Sequence, residues 1–512
     1  MPKTPSYKLF KLVKSLSGPE KRYFKLNAND KWGGEKNKYL TLFDAIDTQE
    51  EFDEDALKLQ VYEGKAIESR KYSGLKAYLY ELILKSLQSY DEKSSVEYRI
   101  KSLLKSVKVL YKRSHYEACE ELMAKAKKLS IEYESFVHLL EILNWEKQVA
   151  FTKEDIAFLD RELDRIDEEE KKCLNQLRNL SIYKNIFYQM IVSIRKDAVL
   201  RSEEKVERLM KMLDHPLLQD VSEAQSHLAK VLYHRIYGLY YYSISDYKKF
   251  YDSSNLFLKE IESKPRVLKE DVSDYISAVS NLILSCGLIN RYTEVRRNLN
   301  KMLKIKPITK YDELRIQRQY YAFKFNLCNF TGEFEEGLEA LEDHIKARKK
   351  YGEETFRTGS FYLQYFNIYF GAGDFEKALE NLNAWLNLPK SIERQDLQSL
   401  VRILNLVIHY EMGNTFLLEY LLRSTYRFLR KRNRMFEFEK RVLGFIKNSN
   451  KIYTNKELKK AFIILKKDFE SLSQIPSEKA MLQYFDFIAW LESKIEEKSF
   501  ATVIKEKNKA AI

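Results

Sequence analysis

Two ten-residue segments, Gly332-Glu-Phe-Glu-Glu-Gly-Leu-Glu-Ala-Leu341 and Gly373-Asp-Phe-Glu-Lys-Ala-Leu-Glu-Asn-Leu382, share one pattern and begin 41 positions apart. Each starts with glycine and has phenylalanine two positions later. A small residue follows five positions after the glycine, and leucine follows nine positions after it. Self-similarity at a fixed spacing of this size is typical of stacked helical hairpins. The two segments therefore predict an all-α repeat protein.

Weaker copies of the pattern occur at nearly the same spacing elsewhere in the chain. The turn residues of the regular copies are separated by 45, 42, 41 and 40 positions and are Ser245, Asn290, Gly332, Gly373 and Gly413. Another copy begins at Ser114, and the 131 positions from there to Ser245 leave room for three units. The pattern predicts about eight hairpins between residues 96 and 450.

The copy at Gly373 shows why each unit should be a helical hairpin. Apolar residues before the glycine recur with the spacing of one helix stripe, at Tyr362, Tyr365, Phe366 and Tyr369. Gly373 can adopt a positive φ and end that helix. Ala378 must be small because the two helices approach most closely there, and Pro389 stops the unit. Such a hairpin cannot bury its apolar face alone, so it must stack on neighbours.

Residues 317–390 resemble the tetratricopeptide-repeat family. The tyrosine, glycine, alanine and proline positions of that family correspond to Tyr369, Gly373, Ala378 and Pro389. The resemblance extends over residues 232–450, although the period of 40–45 residues exceeds the 34 of that family. It implies a right-handed α-solenoid of about eight hairpins with lengthened helices, in which the first helix of each hairpin lines a concave groove.

The composition predicts three segments in an almost wholly helical chain with only 15 Gly and 8 Pro among 512 residues. Residues 1–95 lack the repeat pattern and form a basic helical module, in which a capping box at Ser17-Gly-Pro-Glu20 starts one helix. Residues 1–40 alone carry ten basic and three acidic side chains. Residues 96–450 hold the repeat array. Residues 451–512 are expected to form C-terminal capping helices and a frayed tail.

No motif for chemistry is present in the sequence. Phosphate-binding and dinucleotide-binding glycine patterns are absent, as is the paired-histidine zinc motif. The four cysteines lack the short spacing of a metal site or a redox pair, and the seven histidines are scattered. We therefore expect no enzymatic activity, no cofactor and no metal site. Four unpaired cysteines and the lack of a long apolar segment favour a soluble cytoplasmic protein that does not enter a membrane.

The resemblance also implies where a partner would bind. Six polar residues on predicted first helices are candidates for the concave groove: Arg235, Asn281, Gln319, Asn326, Gln364 and Asn367. Asn326 and Asn367 fall at the same position of successive repeats, where we expect them to point into an open groove. Asparagine side chains can clamp the backbone of an extended peptide through paired hydrogen bonds. The family's clamp for a terminal carboxylate is not reproduced, since its cationic positions read Ala322, Leu400 and Leu404.

Two basic stripes with helical spacing are further candidates for partner binding. The first consists of Lys101, Lys105, Lys108 and Lys112, and the second of Arg423, Arg427, Arg430 and Arg434. Cations also gather at helix C-termini and on solvated helix faces, so a structural role is the alternative. Arginine, however, is the side chain best suited to carboxylate and phosphate groups.

These observations favour a non-enzymatic interaction scaffold or adaptor that binds a peptide or a partner protein on the concave face of the array. The alternative is a transcriptional or other nucleic-acid-associated regulator. In that case the basic module at residues 1–95 would bind nucleic acid and the repeats would act as a sensor.

Overall fold

The computed structural model describes residues 7–31, 38–64, 69–196, 203–351, 356, 359–388, 395–432, 435–449, 454–475, 478 and 484–510. Every regular element in these ranges is a helix, and consecutive helices pack against one another, so the chain is all-α. It divides into two compact units. The first contains Met1–Leu180, Pro265–Val272 and Pro307–Glu313, and the second contains Ser181–Lys264, Ser273–Lys306 and Leu314–Ile512.

The first unit begins with a group of short helices around a core of its own. Its helices are α1 (Lys8–Ser15), α2 (Gly18–Lys31), α3 (Lys38–Thr48), α4 (Glu54–Tyr62), α5 (Ser69–Ser94), α6 (Val96–Tyr111), α7 (Tyr116–Glu132) and α8 (Phe136–Thr152). The next helix, α9 (Ile156–Lys196), begins in this unit and ends in the second. The core of α1 to α5 includes Leu42, Phe43, Ile46, Leu79 and Ile83.

The predicted capping box at the start of α2 is confirmed. The carboxylate of Glu20 accepts hydrogen bonds from the main-chain N–H of Ser17 at 2.6 Å and from its hydroxyl at 2.7 Å. These bonds provide a partner for a donor that would otherwise be unpaired at the helix start.

The second unit continues with paired helices to the end of the described chain. Its helices before residue 390 are α10 (Glu203–Leu213), α11 (His227–Ser243), α12 (Tyr247–Glu262), α13 (Ser273–Leu288), α14 (Tyr292–Leu303), α15 (Lys310–Thr331), α16 (Phe334–Tyr351), α17 (Gly359–Gly371) and α18 (Phe375–Leu386). The first four residues of α15 belong to the first unit. Those after it are α19 (Gln395–Glu411), α20 (Thr415–Lys431), α21 (Glu437–Ser449), α22 (Asn455–Leu472), α23 (Phe487–Glu496) and α24 (Phe500–Ala510).

Each turn predicted from the repeat pattern lies between two helices and has a left-handed backbone. The φ angles at Ser114, Ser245, Asn290, Gly332, Gly373 and Gly413 are 60°, 61°, 61°, 75°, 82° and 69°. A positive φ ends the preceding helix and turns the chain back, and glycine adopts it without steric cost. Glu134 and Glu154 adopt the same conformation at the ends of α7 and α8. Nothing in the sequence marks them, because glutamate rarely adopts a positive φ.

Small residues are required where neighbouring helices pack closely against one another. Ala378 is fully buried, as predicted, in a core that contains Phe366 and Leu382. Gly337 occupies the corresponding position one repeat earlier. A Cβ atom there would lie 2.6 Å from Cδ1 of Ile368 and 3.3 Å from Cβ of Cys328. The close approach of the helices therefore excludes larger side chains.

Residues 505–510, part of the segment that the sequence predicted to be frayed, are helical, and residues 511–512 lie outside the described residues. Helix α24 extends to Ala510 and buries Val503 and Ile504. It contacts the turn between α15 and α16, where the side chain of Asn508 donates a hydrogen bond to the carbonyl oxygen of Phe330. A Cβ atom on Gly332 would lie only 2.9 Å from the carbonyl oxygen of Ala501. Helix α24 thus contacts helices about 170 residues earlier in the chain.

Candidate functional site

A cavity of about 490 Å³ lies within the second unit. Most of its lining residues lie on α13, α15, α17 and α24 and on the non-helical segment Tyr484–Asp486. Aromatic and aliphatic side chains form much of the lining, and several amide side chains are interspersed among them. A concave, largely apolar site with a few polar groups is the usual form of a ligand-binding pocket.

Three of the six predicted groove residues meet at this cavity: Asn326, Gln364 and Asn367. The amide nitrogen of Gln364 donates to the carbonyl oxygen of Ala322 at 2.9 Å and to Oδ1 of Asn326 at 3.0 Å. Asn367 donates to the carbonyl oxygen of Tyr484 at 2.8 Å. The expectation that these side chains point into an open groove is therefore wrong, because they are half-buried and bound to the chain itself.

Three carbonyl oxygens of side-chain amides around the cavity lack a hydrogen-bond partner within the described part of the chain. They are Oδ1 of Asn329, Oε1 of Gln364 and Oδ1 of Asn367, and all three are buried. In Gln364 and Asn367 the amide nitrogen donates to a main-chain carbonyl oxygen. This bond fixes the orientation of the amide group and identifies the other end as the oxygen without a partner. A buried acceptor without a donor costs about 1–3 kcal/mol. The site is thus suited to a ligand that carries N–H groups.

Asp486 is the only charged residue among the described residues that line the cavity. Its carboxylate accepts a 2.8 Å hydrogen bond from the main-chain N–H of Ala489 at the start of α23, and Lys507 lies 3.4 Å away. Burial, and secondarily the charge of Asp486, raise the pKa of Tyr292 to about 12. The Tyr292 hydroxyl therefore remains protonated at neutral pH and donates to Oδ1 of Asn290 at 2.8 Å.

The other three predicted groove residues do not line the cavity. The guanidinium group of Arg235 bonds to the carboxylate of Asp274 at 2.7 Å and lies 4.5 Å from the centre of the Phe187 ring. Asn281 and Gln319 are half-buried on α13 and α15. The structure thus gives Arg235 a structural role and separates all three from the amides that converge.

Both basic stripes lie on solvent-exposed helix faces where they are described. Lys101, Lys105, Lys108 and Lys112 are exposed along α6 and just beyond it, and Lys101 pairs with Glu97. Arg423, Arg427 and Arg430 are exposed on α20. Arg434 lies outside the described residues.

Residues that the sequence interpretation missed complete the cavity. Asn329 lies three positions after Asn326 on the same helix, so the helical repeat placed it within reach of the site. No spacing or motif in the sequence indicated that Tyr484–Asp486 would lie near the cavity. Those residues reach the cavity only because the end of the chain packs against α15 and α17.

Other classes of site receive no support from the described residues. Within them, no group of three or more His, Cys, Asp and Glu side chains is arranged to hold a metal ion. All four cysteines are buried, and desolvation raises the pKa of Cys328 to about 12, which disfavours a reactive thiolate. Of the helices that the structure describes, none has the length and apolar character needed to cross a bilayer.

Comparison of the chain with protein-family models, with curated proteins and with solved structures returned no match.

Proposed function

We propose that this protein is a non-enzymatic interaction scaffold that binds an extended segment of a partner protein at the cavity in the second unit. The observation that carries the proposal is the hydrogen bond from Asn367 to the main-chain carbonyl of Tyr484. Asn367 thus binds the main chain of a non-helical segment, as it would bind an extended peptide. In this case the segment belongs to the same chain.

The repeat architecture supports this proposal. Left-handed turns recur at the predicted positions, and helices pack in successive pairs such as α11 with α12, α13 with α14 and α17 with α18. These features favour a tetratricopeptide-like α-solenoid of about eight hairpins. In such an array the first helices line the concave face, and the cavity walls include three of them.

The chemistry of the amide groups matches a peptide backbone. A side-chain amide offers one donor group and one acceptor, as a peptide unit does. Gln364 and Asn367 already use their nitrogens on main-chain carbonyls, and their oxygens have no partner within the described residues. The N–H groups of a bound peptide would supply the missing donors.

Partner binding must be accompanied by a local rearrangement. The acceptor oxygens are covered, and Tyr484–Asp486 already contacts the cavity wall. We therefore expect this segment to move aside when a partner peptide binds. Its hydrogen bond to Asn367 contributes a modest barrier, since one such bond adds about 0.5–1.5 kcal/mol.

The test begins with capture of partner proteins by the full chain and continues with overlapping partner peptides titrated by calorimetry. Asn329→Ala is the most informative variant, because it removes an acceptor that has no partner within the described residues. We expect Asn329→Ala and Asn326→Ala each to weaken peptide binding by about 1–3 kcal/mol. Asn383→Ala, at an exposed position on α18, is the matched control and should bind as the wild type does. Equal affinities for all three variants would remove the cavity as the binding site.

The alternative of a nucleic-acid-binding module at residues 1–95 has less support. Lys14 donates to the carbonyl oxygen of Asp47 at 2.8 Å, Lys21 pairs with the Asp47 carboxylate, and Lys25 lies 2.6 Å from the carboxylate of Asp44. Several basic side chains of this region are thus engaged within the module itself. Nucleic-acid binding by residues 1–95 remains a prediction from the sequence.

A further inference from the structure

Helix α20 has two faces of opposite character. Leu418, Thr425 and Leu429 are buried against the rest of the second unit. The opposite face carries five exposed residues spaced i, i+4, i+7, i+11 and i+14, which are Phe416, Tyr420, Arg423, Arg427 and Arg430. We call these five residues the α20 stripe. At 1.5 Å per residue it is about 21 Å long.

The aromatic half of the stripe is unusually open. The side chain of Phe416 is 96% exposed and that of Tyr420 is 65% exposed. Single exposed apolar residues are normal on protein surfaces and need no explanation. Two rings one turn apart on the same line of a helix are a different case. They present two flat apolar faces next to a row of cations.

The cationic half of the stripe has little internal compensation. Arg423 pairs with Glu419 at 2.6 Å, and both side chains are largely exposed, so the pair adds little stability. Among the described residues, the guanidinium group of Arg427 has one hydrogen-bond partner, the carbonyl oxygen of Arg423 at 3.4 Å. Helix α20 carries four basic side chains and one acidic side chain. Stabilisation of a helix C-terminus explains cations in the last turn, but not Arg423 or the rings in the first two turns.

We propose that the α20 stripe binds single-stranded nucleic acid. Surfaces that bind single strands combine cations along the backbone with aromatic side chains on which bases stack. Arginine forms paired hydrogen bonds with phosphate, and its planar group also stacks on bases. The stripe offers both elements in line. The net charge of +13 attracts any polyanion at long range. This activity is separate from peptide binding at the cavity and involves none of the same residues.

Other anionic partners match the stripe less well. An acidic peptide would pair with the arginines, but its carboxylates have no flat π-face to lie on Phe416 and Tyr420. A membrane surface is better matched by cations that flank an apolar face, whereas the apolar face of α20 is buried inside the unit. A ligand that matches the whole stripe must carry phosphate charges for the arginines and flat groups that stack on the two rings.

The proposal is tested with the full-length protein by fluorescence anisotropy, using a labelled 12-nucleotide oligo(dT) and an abasic strand of the same length. The two probes have the same phosphate charge and differ only in their bases. We expect the wild type to bind oligo(dT) at least several-fold more tightly than the abasic strand. Phe416→Ala should weaken oligo(dT) binding about tenfold and leave abasic binding unchanged, because it removes a stacking platform but no charge.

Arg427→Gln should weaken the binding of both strands. It should also reduce the slope of log K against log salt by about 0.7, the value expected for one phosphate contact on a single strand. Two exposed residues away from the stripe provide matched controls in the same unit. Tyr188→Ala and Arg297→Gln should leave both affinities and the salt slope unchanged.

Clear outcomes would overturn the proposal. Equal affinities of the wild type for the two strands would show binding by charge alone. An unchanged oligo(dT) affinity in Phe416→Ala would remove the stacking role. Tighter binding to polyglutamate or to phosphatidylserine vesicles than to oligo(dT) would assign the stripe to an acidic protein or to a membrane surface. All five side chains are exposed, so unchanged melting temperatures should accompany each variant and exclude unfolding as the cause.

Discussion

The side-chain amide of Asn367 donates a 2.8 Å hydrogen bond to the main-chain carbonyl oxygen of Tyr484, which lies 117 residues later in the chain. This bond joins a repeated position on α17 to the segment that leads into α23. It makes the C-terminal residues part of the wall around the cavity.

Replacing Asn367 with alanine should loosen the C-terminal segment. We expect only a small change in the free energy of unfolding, because loss of the hydrogen bond and removal of the unpartnered Oδ1 oxygen have opposite signs. Amide hydrogen exchange should accelerate first in the segment from residue 484 to residue 510. Asn383→Ala should change neither measurement, because Asn383 is exposed on α18. Uniform acceleration across the second unit would contradict a local role for the bond.

Replacing Ala378 with leucine should overfill the closest approach of α17 and α18. Ala378 has no exposed surface, so the added atoms cannot turn towards solvent. We expect a cost of about 1–3 kcal/mol in urea unfolding. The neighbouring Lys377→Leu is the control. That side chain is mostly exposed, and its contacts are a surface ion pair with Asp374 and the ring of Tyr369 at 5.5 Å, which contribute little to stability. If both variants unfold at the same urea concentration, the assigned repeat register is wrong.

Two glycine-to-alanine changes should have opposite effects on stability. A Cβ atom on Gly371 would lie 2.1 Å from Cε1 of the buried Phe334 ring, so Gly371→Ala should destabilise by about 1–3 kcal/mol. Gly444 lies inside α21 with nothing within 4 Å of such an atom. Gly444→Ala should stabilise by up to about 1 kcal/mol, because alanine favours the helix. Thermal melting should show a lower melting temperature for Gly371→Ala and a higher one for Gly444→Ala. A higher melting temperature for Gly371→Ala would contradict the tight packing of Gly371 against Phe334.

His344 should make the protein less stable in mild acid. Burial, and secondarily the charge of Arg348, lower its pKa from 6.5 to about 3. Its ring lies among aromatic side chains, 4.5 Å from Tyr321 and 4.8 Å from Phe361, and neither ring nitrogen has a partner within the described residues. Between pH 6.5 and about pH 3 the unfolded chain binds a proton that the folded chain does not. The free energy of unfolding should therefore fall with pH in that window.

The pH dependence can be isolated by substitution. His344 should contribute a slope of at most about 1.4 kcal/mol per pH unit to urea unfolding measured between pH 7 and pH 4. His344→Phe should remove this contribution. His115→Gln should keep it, because His115 is exposed on the surface of the first unit. An unchanged slope in His344→Phe would show that other groups cause the acid sensitivity.

The turns and the close helix contacts were largely predictable. Positive φ angles at Gly332, Gly373 and Gly413 follow from a residue type that adopts them without cost, and Ser245 and Asn290 were located by the spacing. The turns at Glu134 and Glu154 could not be predicted, because glutamate has no local preference for a positive φ. Both residues lie at helix junctions in the structure, Glu134 between α7 and α8 and Glu154 between α8 and α9.

The candidate site was predictable only in part. Asn326, Gln364 and Asn367 were predicted as polar residues on first helices, and Asn326 and Asn367 also share one position of the recurring pattern; all three line the cavity. Arg235 was chosen by the same reasoning, but a neighbouring carboxylate, Asp274, holds its guanidinium group. A repeat pattern specifies the face on which a side chain lies and does not specify its partner.

The sequence by itself determined the helical class, the six turns of the recurring pattern and the small residues between packed helices. These features depend on local backbone preference and on the periodicity of apolar residues, and both can be recognised in the order of the residues. Only the tertiary structure decided that α24 returns to the turn at Gly332 and that Tyr484–Asp486 helps to form the cavity. These contacts join residues more than a hundred positions apart. They arise from the complementary shapes of packed surfaces, and no local pattern in the sequence encodes them.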